Sequence, residues 1–300
     1  MAYFLCSEGS SVTVTVDGVE VEDLALVSGG TIDVSVSTLP FKFYYGSAVV
    51  LNNEIHILGS ADNTTAHYKW NGTSWTSVST LPYKFYRGSA VVLDNEIHIL
   101  GGAISNTYTN HYKWNGTSWT SVSTLYYSFS DGSALVFNNQ IHVLGSSGDT
   151  SHYKKHYRYN GTSWGRVSDL PYDFFYGGAV VFNNEIHILG SNDTTYREYH
   201  YKRSGSSWTY IGKLPYYFNH GEALVKDNEI HIIGGNSGTT AHYKYNGTSW
   251  TNMGTLAYTF LDGEAVVFNN EIHILGSSNS SFYTNHYAIQ KPIYIKGGAA

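Results

Sequence analysis

Cysteine is nearly missing from this chain: Cys6 stands alone among 300 residues. A single thiol makes no internal disulfide and supplies no cysteine-rich metal site. Charge is scarce too, at 13% of residues, with 17 basic against 23 acidic side chains and a net −6. That balance offers no general basic field, and no nucleic-acid partner is expected. No apolar run approaches the roughly 18 residues of a spanning helix, so no membrane insertion is expected. The opening Met1-Ala2-Tyr3-Phe4-Leu5-Cys6 has neither the basic start nor the apolar stretch of a signal peptide, and cytoplasmic synthesis is expected. What is abundant is tyrosine (27) and glycine (31), with aromatics at 16%. Disordered chains carry few aromatics and many charges, and long helical proteins need far more Ala, Glu, Lys and Leu; both classes are excluded.

The chain repeats itself. A glycine opens an apolar run at Gly46, Gly88, Gly132, Gly177, Gly221 and Gly263, at spacings of 42, 44, 45, 44 and 42. A second apolar run follows, such as Glu54-Ile55-His56-Ile57-Leu58, after a pair of turn residues such as Asn52-Asn53 or Asp94-Asn95. Asn and Asp tolerate the positive φ that a two-residue hairpin needs. A third run starts at His67, His111, His156, His200, His242 and His286 and ends at a turn signal, Asn71-Gly72 in the first copy. A fourth is marked by Trp75, Trp119, Trp164, Trp208 and Trp250. The linkers between second and third runs hold 7, 9, 10, 9 and 7 residues in the first five copies, and the remainder is 35 every time. All length variation therefore sits in one loop of an otherwise fixed stacking unit.

These features predict an all-β, six-bladed β-propeller with four antiparallel strands, a to d, in each blade. The sixth copy lacks its fourth strand, and Thr31–Pro40 matches the missing one, so an N-terminal strand closes the ring and removes the exposed edges. Asp33 stands there at the tryptophan position, which predicts a weaker closing blade. Residues 31–289 form the propeller. Residues 1–30 form an attachment or oligomerisation segment with a hairpin of Ser11–Val16 and Val19–Val21, and 290–300 form a tail containing Ile293-Tyr294-Ile295.

The pattern resembles the kelch repeat over residues 31–289: an Ala-Val-Val strand, an apolar strand ending in Gly-Gly (Gly101-Gly102, Gly234-Gly235), a Tyr-containing strand and a Trp strand. It departs where kelch carries a second-strand Tyr and this chain has His56, His98, His142, His187, His231 and His273. The resemblance implies a propeller and leaves function open, because kelch propellers include enzymes, sugar-binding proteins and protein-binding scaffolds. Copper-oxidase chemistry of kelch-like propellers needs a cysteine linked to tyrosine near the channel, and Cys6 lies outside the ring.

Strand alternation puts the a–b and c–d turns on one face and the variable b–c and d–a loops on the other, where function is expected. The two residues before each blade glycine should ring the channel mouth: Tyr44 and Tyr45, Tyr86 and Arg87, Ser130 and Asp131, Phe175 and Tyr176, Asn219 and His220, Leu261 and Asp262. The b–c loops add Tyr108, His152, Tyr153, Tyr196, Tyr199 and Tyr283. Tyrosine joins contact area to a polar tip, suiting a glycan or protein receptor; packing beneath loops is the competing role. Glu222 and Glu264 occupy a position that is Ser or Gly in the other blades. With His220 they form a candidate acid–base set, a hard-cation site, or a solvated acidic rim. The twelve repeated strand histidines recur with the blade, which points to a blade-level hydrogen bond rather than a metal. The Asn-Gly-Thr triplets match a glycosylation acceptor and read better as turns.

The expected function is non-catalytic recognition of a glycan or protein, without metal or cofactor. The polar, Ser/Thr/Asn/Tyr-rich composition resembles bacteriophage tail or fibre proteins, a possible virion-associated setting. The alternatives are a sugar-active enzyme of epimerase or lyase class using Glu222, Glu264 and His220, and an intracellular interaction scaffold.

Overall fold

A computed structural model describes residues 15–16, 19–20, 24–28, 32–62, 64–102, 109–148, 150–236, 238–290 and 293–297, with side chains between 34 and 289. Six four-stranded antiparallel sheets stand around an axis. In the first, strands a to d are Ser47–Leu51, Glu54–Leu58, Ala66–Trp70 and Trp75–Thr80. The other innermost strands are Ser89–Leu93, Ser133–Phe137, Gly178–Phe182, Glu222–Lys226 and Glu264–Phe268. Each packs on the next, and the sixth packs on the first, closing the ring. The closing strand is Ile32–Thr38, paired with Asn285–Gln290, as the repeat arithmetic requires. The side chain of Asp33 lies outside the described part.

The turns follow from their residues. Both central residues of every a–b turn have positive φ, from Asn52 (51°) and Asn53 (58°) to Asn269 (48°) and Asn270 (64°). In the first, second, third and fifth blades the Asn-Gly turn signal lies in a four-residue loop rather than a two-residue hairpin. Asn71 opens a four-residue loop whose Oδ1 accepts from the backbone N–H groups of Thr73 and Ser74 at 2.9 Å each. An Asn side chain that bonds to backbone groups two and three residues on closes the wider turn locally. The fourth blade, with Ser204 in place of Asn, makes the tight turn, pairing Ser204 with Ser207.

The core lies between blades. Phe43, Phe85, Phe129, Phe174, Phe218 and Phe260 are fully buried, one at each junction. Each cluster mixes neighbours: Val266 and Phe268 of the sixth blade pack with Ile55, Ile57 and Trp70 of the first. Burying a large side chain contributes about 1.5–3 kcal/mol, so a blade is stable only in its ring. Tryptophans lock the outer strands as well: Trp75 Nε1 donates to Ser37 Oγ at 3.0 Å and Trp119 Nε1 to Ser79 Oγ at 3.1 Å.

The repeated histidines pair with each other. In every blade the b-strand Nδ1 lies 2.8–2.9 Å from the c-strand Nε2: His56–His67, His98–His111, His142–His156, His187–His200, His231–His242 and His273–His286. One ring donates and the other accepts, so the pair is neutral. Burial, first among the causes, lowers the b-strand imidazoles to about 4. It lowers His67, His111, His200, His242 and His286 to about 3.

Outside the propeller, Thr15–Val16 pairs with Val19–Glu20, the central part of the expected hairpin; Ser11–Val14 and Val21 lie outside the described residues. The tail strand Ile293–Gly297 pairs with Leu24–Ser28 of the 1–30 segment. The register runs from Gln290↔Ile32 in the closing blade to Ile293↔Ser28 beyond it. The tail strand and Leu24–Ser28 form a two-stranded sheet of their own, separate from the closing blade. The sequence divided 1–30 from 290–300; the pairing joins parts of both.

Candidate functional site

The channel opens on the d–a and b–c loop face. It encloses about 260 Å³, and each blade contributes four consecutive residues to its wall, Tyr45-Gly46-Ser47-Ala48 in the first. The uppermost layer is Tyr45, Arg87, Asp131, Tyr176, His220 and Asp262.

These six residues all hold positive φ, between 53° and 61°. For bulky side chains that conformation is costly and persists only where surroundings enforce it. The enforcement is a closed belt of backbone hydrogen bonds. Tyr45 N–H donates to Asp262 O (2.8 Å), Arg87 to Tyr45 (2.7 Å), Asp131 to Arg87 (2.8 Å), Tyr176 to Asp131 (2.7 Å), His220 to Tyr176 (2.8 Å) and Asp262 to His220 (2.8 Å). The glycine after each serves close approach: a Cβ on Gly46 would run into the Phe43 ring and lie 2.5 Å from Gly59 O. Buried phenylalanine, glycine and belt are one device that turns a variable side chain toward the axis.

Around the belt the side chains read Tyr, Arg, Asp, and then Tyr, His, Asp. In one half the Arg87 guanidinium lies 4.5 Å over the Tyr45 ring, and its Nη1 reaches Asp131 Oδ2 at 3.4 Å and Tyr176 Oη at 2.7 Å. In the other, His220 stacks on Tyr176 at 3.9 Å and its Nδ1 meets Asp262 Oδ1 at 2.6 Å. The phenols of Tyr176 and Tyr45 bond to Asp131 and Asp262. Each carboxylate also accepts from a serine: Ser147 and Ser130 for Asp131, Ser278 for Asp262 at 2.8 Å. Six-fold backbone symmetry thus carries a side-chain pattern of two-fold symmetry. Burial pushes both phenols up, so they remain neutral donors. Burial also raises the Asp131 carboxyl, against the serine and Arg87 contacts that lower it.

Below the belt, serines knit the blades. Ser89 Oγ donates to Gly132 O (3.2 Å), Ser133 Oγ to Gly177 O (2.9 Å), and Ser47 Oγ accepts from Ala90 N–H (3.0 Å). In the fourth blade the Ala223 Cβ lies 2.5 Å from where a side chain on Gly178 would begin, leaving no room. Glu222 and Glu264 complete the layer. One Glu264 oxygen reproduces the serine role, accepting from Ala48 N–H at 3.4 Å, and Glu222 accepts from Ala223 N–H at 3.1 Å. Burial raises Glu222 to about 8, and burial together with the Glu222 charge raises Glu264 well above the carboxylate range.

The structure brings together one residue of each expected pair. The preceding residues, Tyr44, Tyr86, Ser130, Phe175, Asn219 and Leu261, do not line the channel but form an outer circle, and b–c loops clamp five of them, as where Ala61 N–H donates to Tyr44 O, Ser147 N–H to Ser130 O, Asn192 N–H to Phe175 O, Asn236 N–H to Asn219 O and Ser278 N–H to Leu261 O. Asn219 is buried and bonded to Asn192 at 3.3 Å. Tyr44 packs on Tyr283 at 4.9 Å and Phe175 on Tyr153 at 4.7 Å. Tyr196 packs on buried Tyr172 at 5.1 Å and edge-on against Tyr199, away from the channel. His152 packs on Tyr127 at 5.0 Å. These placements correct the expectation that both circles and all loop aromatics face the mouth. Tyr108 lies outside the described residues. Sequence reasoning missed Ser147 and Ser278, although a signal existed: serine follows the Gly-Ser of the b–c loop only in the two blades that carry Asp131 and Asp262.

No protein-family model and no curated protein matches the chain. Among solved structures, that titled "Structure of YjhT", itself a propeller, is similar with a TM-score of 0.73 at 15% identity, covering 85% of this chain and 99% of that one. Identity so low speaks for the fold alone, and the fold it supports is the six-bladed β-propeller built above.

Proposed function

We propose that the chain is a non-catalytic recognition module that binds a glycan at the mouth of its central channel, one sugar unit seated over the ring from Tyr45 to Asp262. The observation that carries this reading is the belt. Six side chains of four kinds (Tyr, Arg, His and Asp) are held in costly backbone conformations and aimed at one concave site. Structural need alone would repeat one residue six times. The channel, at about 260 Å³, lies just below the roughly 300–1,000 Å³ of drug-sized ligand sites, a scale suited to one sugar unit. Its polar groups are already paired and fixed, so a ligand's hydroxyls meet oriented donors and acceptors with little ordering cost. A protein epitope would press on the whole loop face, whereas the chemistry here is concentrated in one depression. The polar, Ser/Thr/Asn/Tyr-rich composition suits a module carried on a larger assembly, such as a bacteriophage tail or fibre.

A glycan array tests this with the native chain and with Arg87→Asn/Tyr176→Asn, asparagine being chosen because it tolerates positive φ. Capture of defined glycans and a loss of at least about tenfold, ~1.4 kcal/mol, in the variant is expected. An array that captures nothing, or binding unchanged by the variant, overturns the reading.

One observation favours a second reading, a sugar-active enzyme. Two interacting carboxyls lie beneath the belt, and burial raises both toward the protonated form that a general acid needs. Screening sugars for turnover with Glu222→Gln/Glu264→Gln decides it: activity that survives both changes removes these residues from the chemistry.

A further inference from the structure

The outer circle carries a second two-fold feature. At the junction of the sixth and first blades, Tyr44 and Tyr283 form a tilted ring pair at 4.9 Å and 30°, with Lys42 Nζ 5.6 Å from the Tyr283 ring. At the junction of the third and fourth blades, Phe175 and Tyr153 form its counterpart at 4.7 Å and 35°, flanked by the Lys154–Asp173 ion pair at 3.7 Å. In a six-bladed ring these junctions are three blades apart, on opposite sides of the channel. Among the described residues, Tyr86, Ser130, Asn219 and Leu261 make no such pair with a neighbouring b–c loop. All four aromatic rings are partly exposed. Each platform adjoins a belt tyrosine: Tyr44 contacts Tyr45 at 5.7 Å and Phe175 contacts Tyr176 at 6.0 Å.

We propose that the ligand is a linear oligosaccharide lying across the channel mouth from one platform to the other, so that the site reads an internal stretch of chain rather than a single terminal sugar. This rests on the glycan reading above and extends it. The axial face of a pyranose ring is a sheet of C–H groups that packs flat on an aromatic ring, while its equatorial hydroxyls need polar partners at the edge. Two flat aromatic platforms with charged groups beside them, on either side of a central polar ring, match units on both sides of the central one. The two-fold repetition of Tyr, a nitrogen donor (Arg87 or His220) and Asp fits a polymer that presents similar units in succession.

The probes are size-graded chito-, cello-, malto- and xylo-oligosaccharides of one to about eight units, titrated against the native chain and against Tyr283→Ala, Tyr153→Ala and the double variant. For the series that binds, affinity rises with length until both platforms are spanned. Each alanine weakens long oligosaccharides roughly three- to tenfold, leaves the monosaccharide unchanged, and combines with the other to return long chains to monosaccharide strength. Tyr283→Phe and Tyr153→Phe, which keep the flat ring, retain length dependence and control for misfolding. Affinity independent of length, or loss at one platform only, overturns this proposal and leaves the glycan reading standing. Failure to bind any glycan, on these series and on the array, overturns both.

Discussion

The inside of each blade and the mouth of the channel are built from the same repeat and behave in opposite ways. The histidine pair between strands b and c recurs six times with near-identical geometry, 2.8–2.9 Å in every blade. The belt position before each glycine repeats in backbone only, at φ between 53° and 61°, while its side chain changes from Tyr to Arg to Asp. Repetition marks what every blade needs to stack on its neighbours. A break in repetition at a position whose backbone is strictly conserved among blades marks a residue released from that need. Substitutions inside the blade should therefore cost stability, and substitutions on the belt should cost binding.

Acid should strain the blade interiors first and most. The imidazoles titrate near 6.5 when unfolded and near 4 or 3 in the native blades, so the unfolded chain binds more protons over that interval. Stability is full above about pH 6.5 and falls as pH drops toward 4. Each b-strand histidine then forfeits about 3 kcal/mol, and six of them exceed the roughly 5–15 kcal/mol that holds a typical domain. Thermal melts followed by circular dichroism should show a midpoint declining below pH 6.5 and no folded baseline near pH 4. A flat midpoint down to pH 4.5 would sink the account of neutral buried pairs.

A single break in one pair is the next largest effect. His98→Ala leaves a ring nitrogen of buried His111 without its partner and opens a small void, for about 2–3 kcal/mol. Urea titration at pH 7.5 measures it; a change under 0.5 kcal/mol would mean the pair is incidental.

The channel carboxyls should act with the opposite sign. Glu222 has a folded pKa near 8 against 4.5 unfolded, so its contribution is intact at low pH and is lost as pH rises from 4.5 through 8. Glu222→Gln/Glu264→Gln should raise stability at pH 8 by about 1–3 kcal/mol, discounted because the channel admits solvent, and should change little at pH 4.5. Equal shifts at both pH values would contradict it. Native stability should therefore peak near neutrality, between the histidine and glutamate limits.

The smallest stability change should accompany Arg87→Asn/Tyr176→Asn, within about 1 kcal/mol. Such a variant melting like the native chain while losing glycan sharpens the contrast between interior and belt. One that unfolds with His98→Ala would erase it.

Much of this architecture was readable before any coordinates. Spacing of Gly46, Gly88 and their counterparts counted the blades, Asn52-Asn53 placed a turn of positive φ, and Thr31–Pro40 supplied the missing strand. These are local signals, carried by residues adjacent in the chain and confirmed by repetition. The width of the c–d turn is not legible, because Asn71 caps a four-residue loop through its side chain and dipeptide identity does not reveal this. Tyr196 was assigned to the mouth because a loop aromatic looks the same whether it faces solvent or packs on Tyr172.

The linear chain thus settled how many sheets there are, how they connect, and which positions escape repetition, because those properties depend on period and local backbone preference. Only packing in three dimensions decided which of two neighbouring side chains enters the channel, and that residues three blades apart form matching halves. Ring closure brings together groups more than a hundred residues apart, and contacts of that range leave no trace in local pattern.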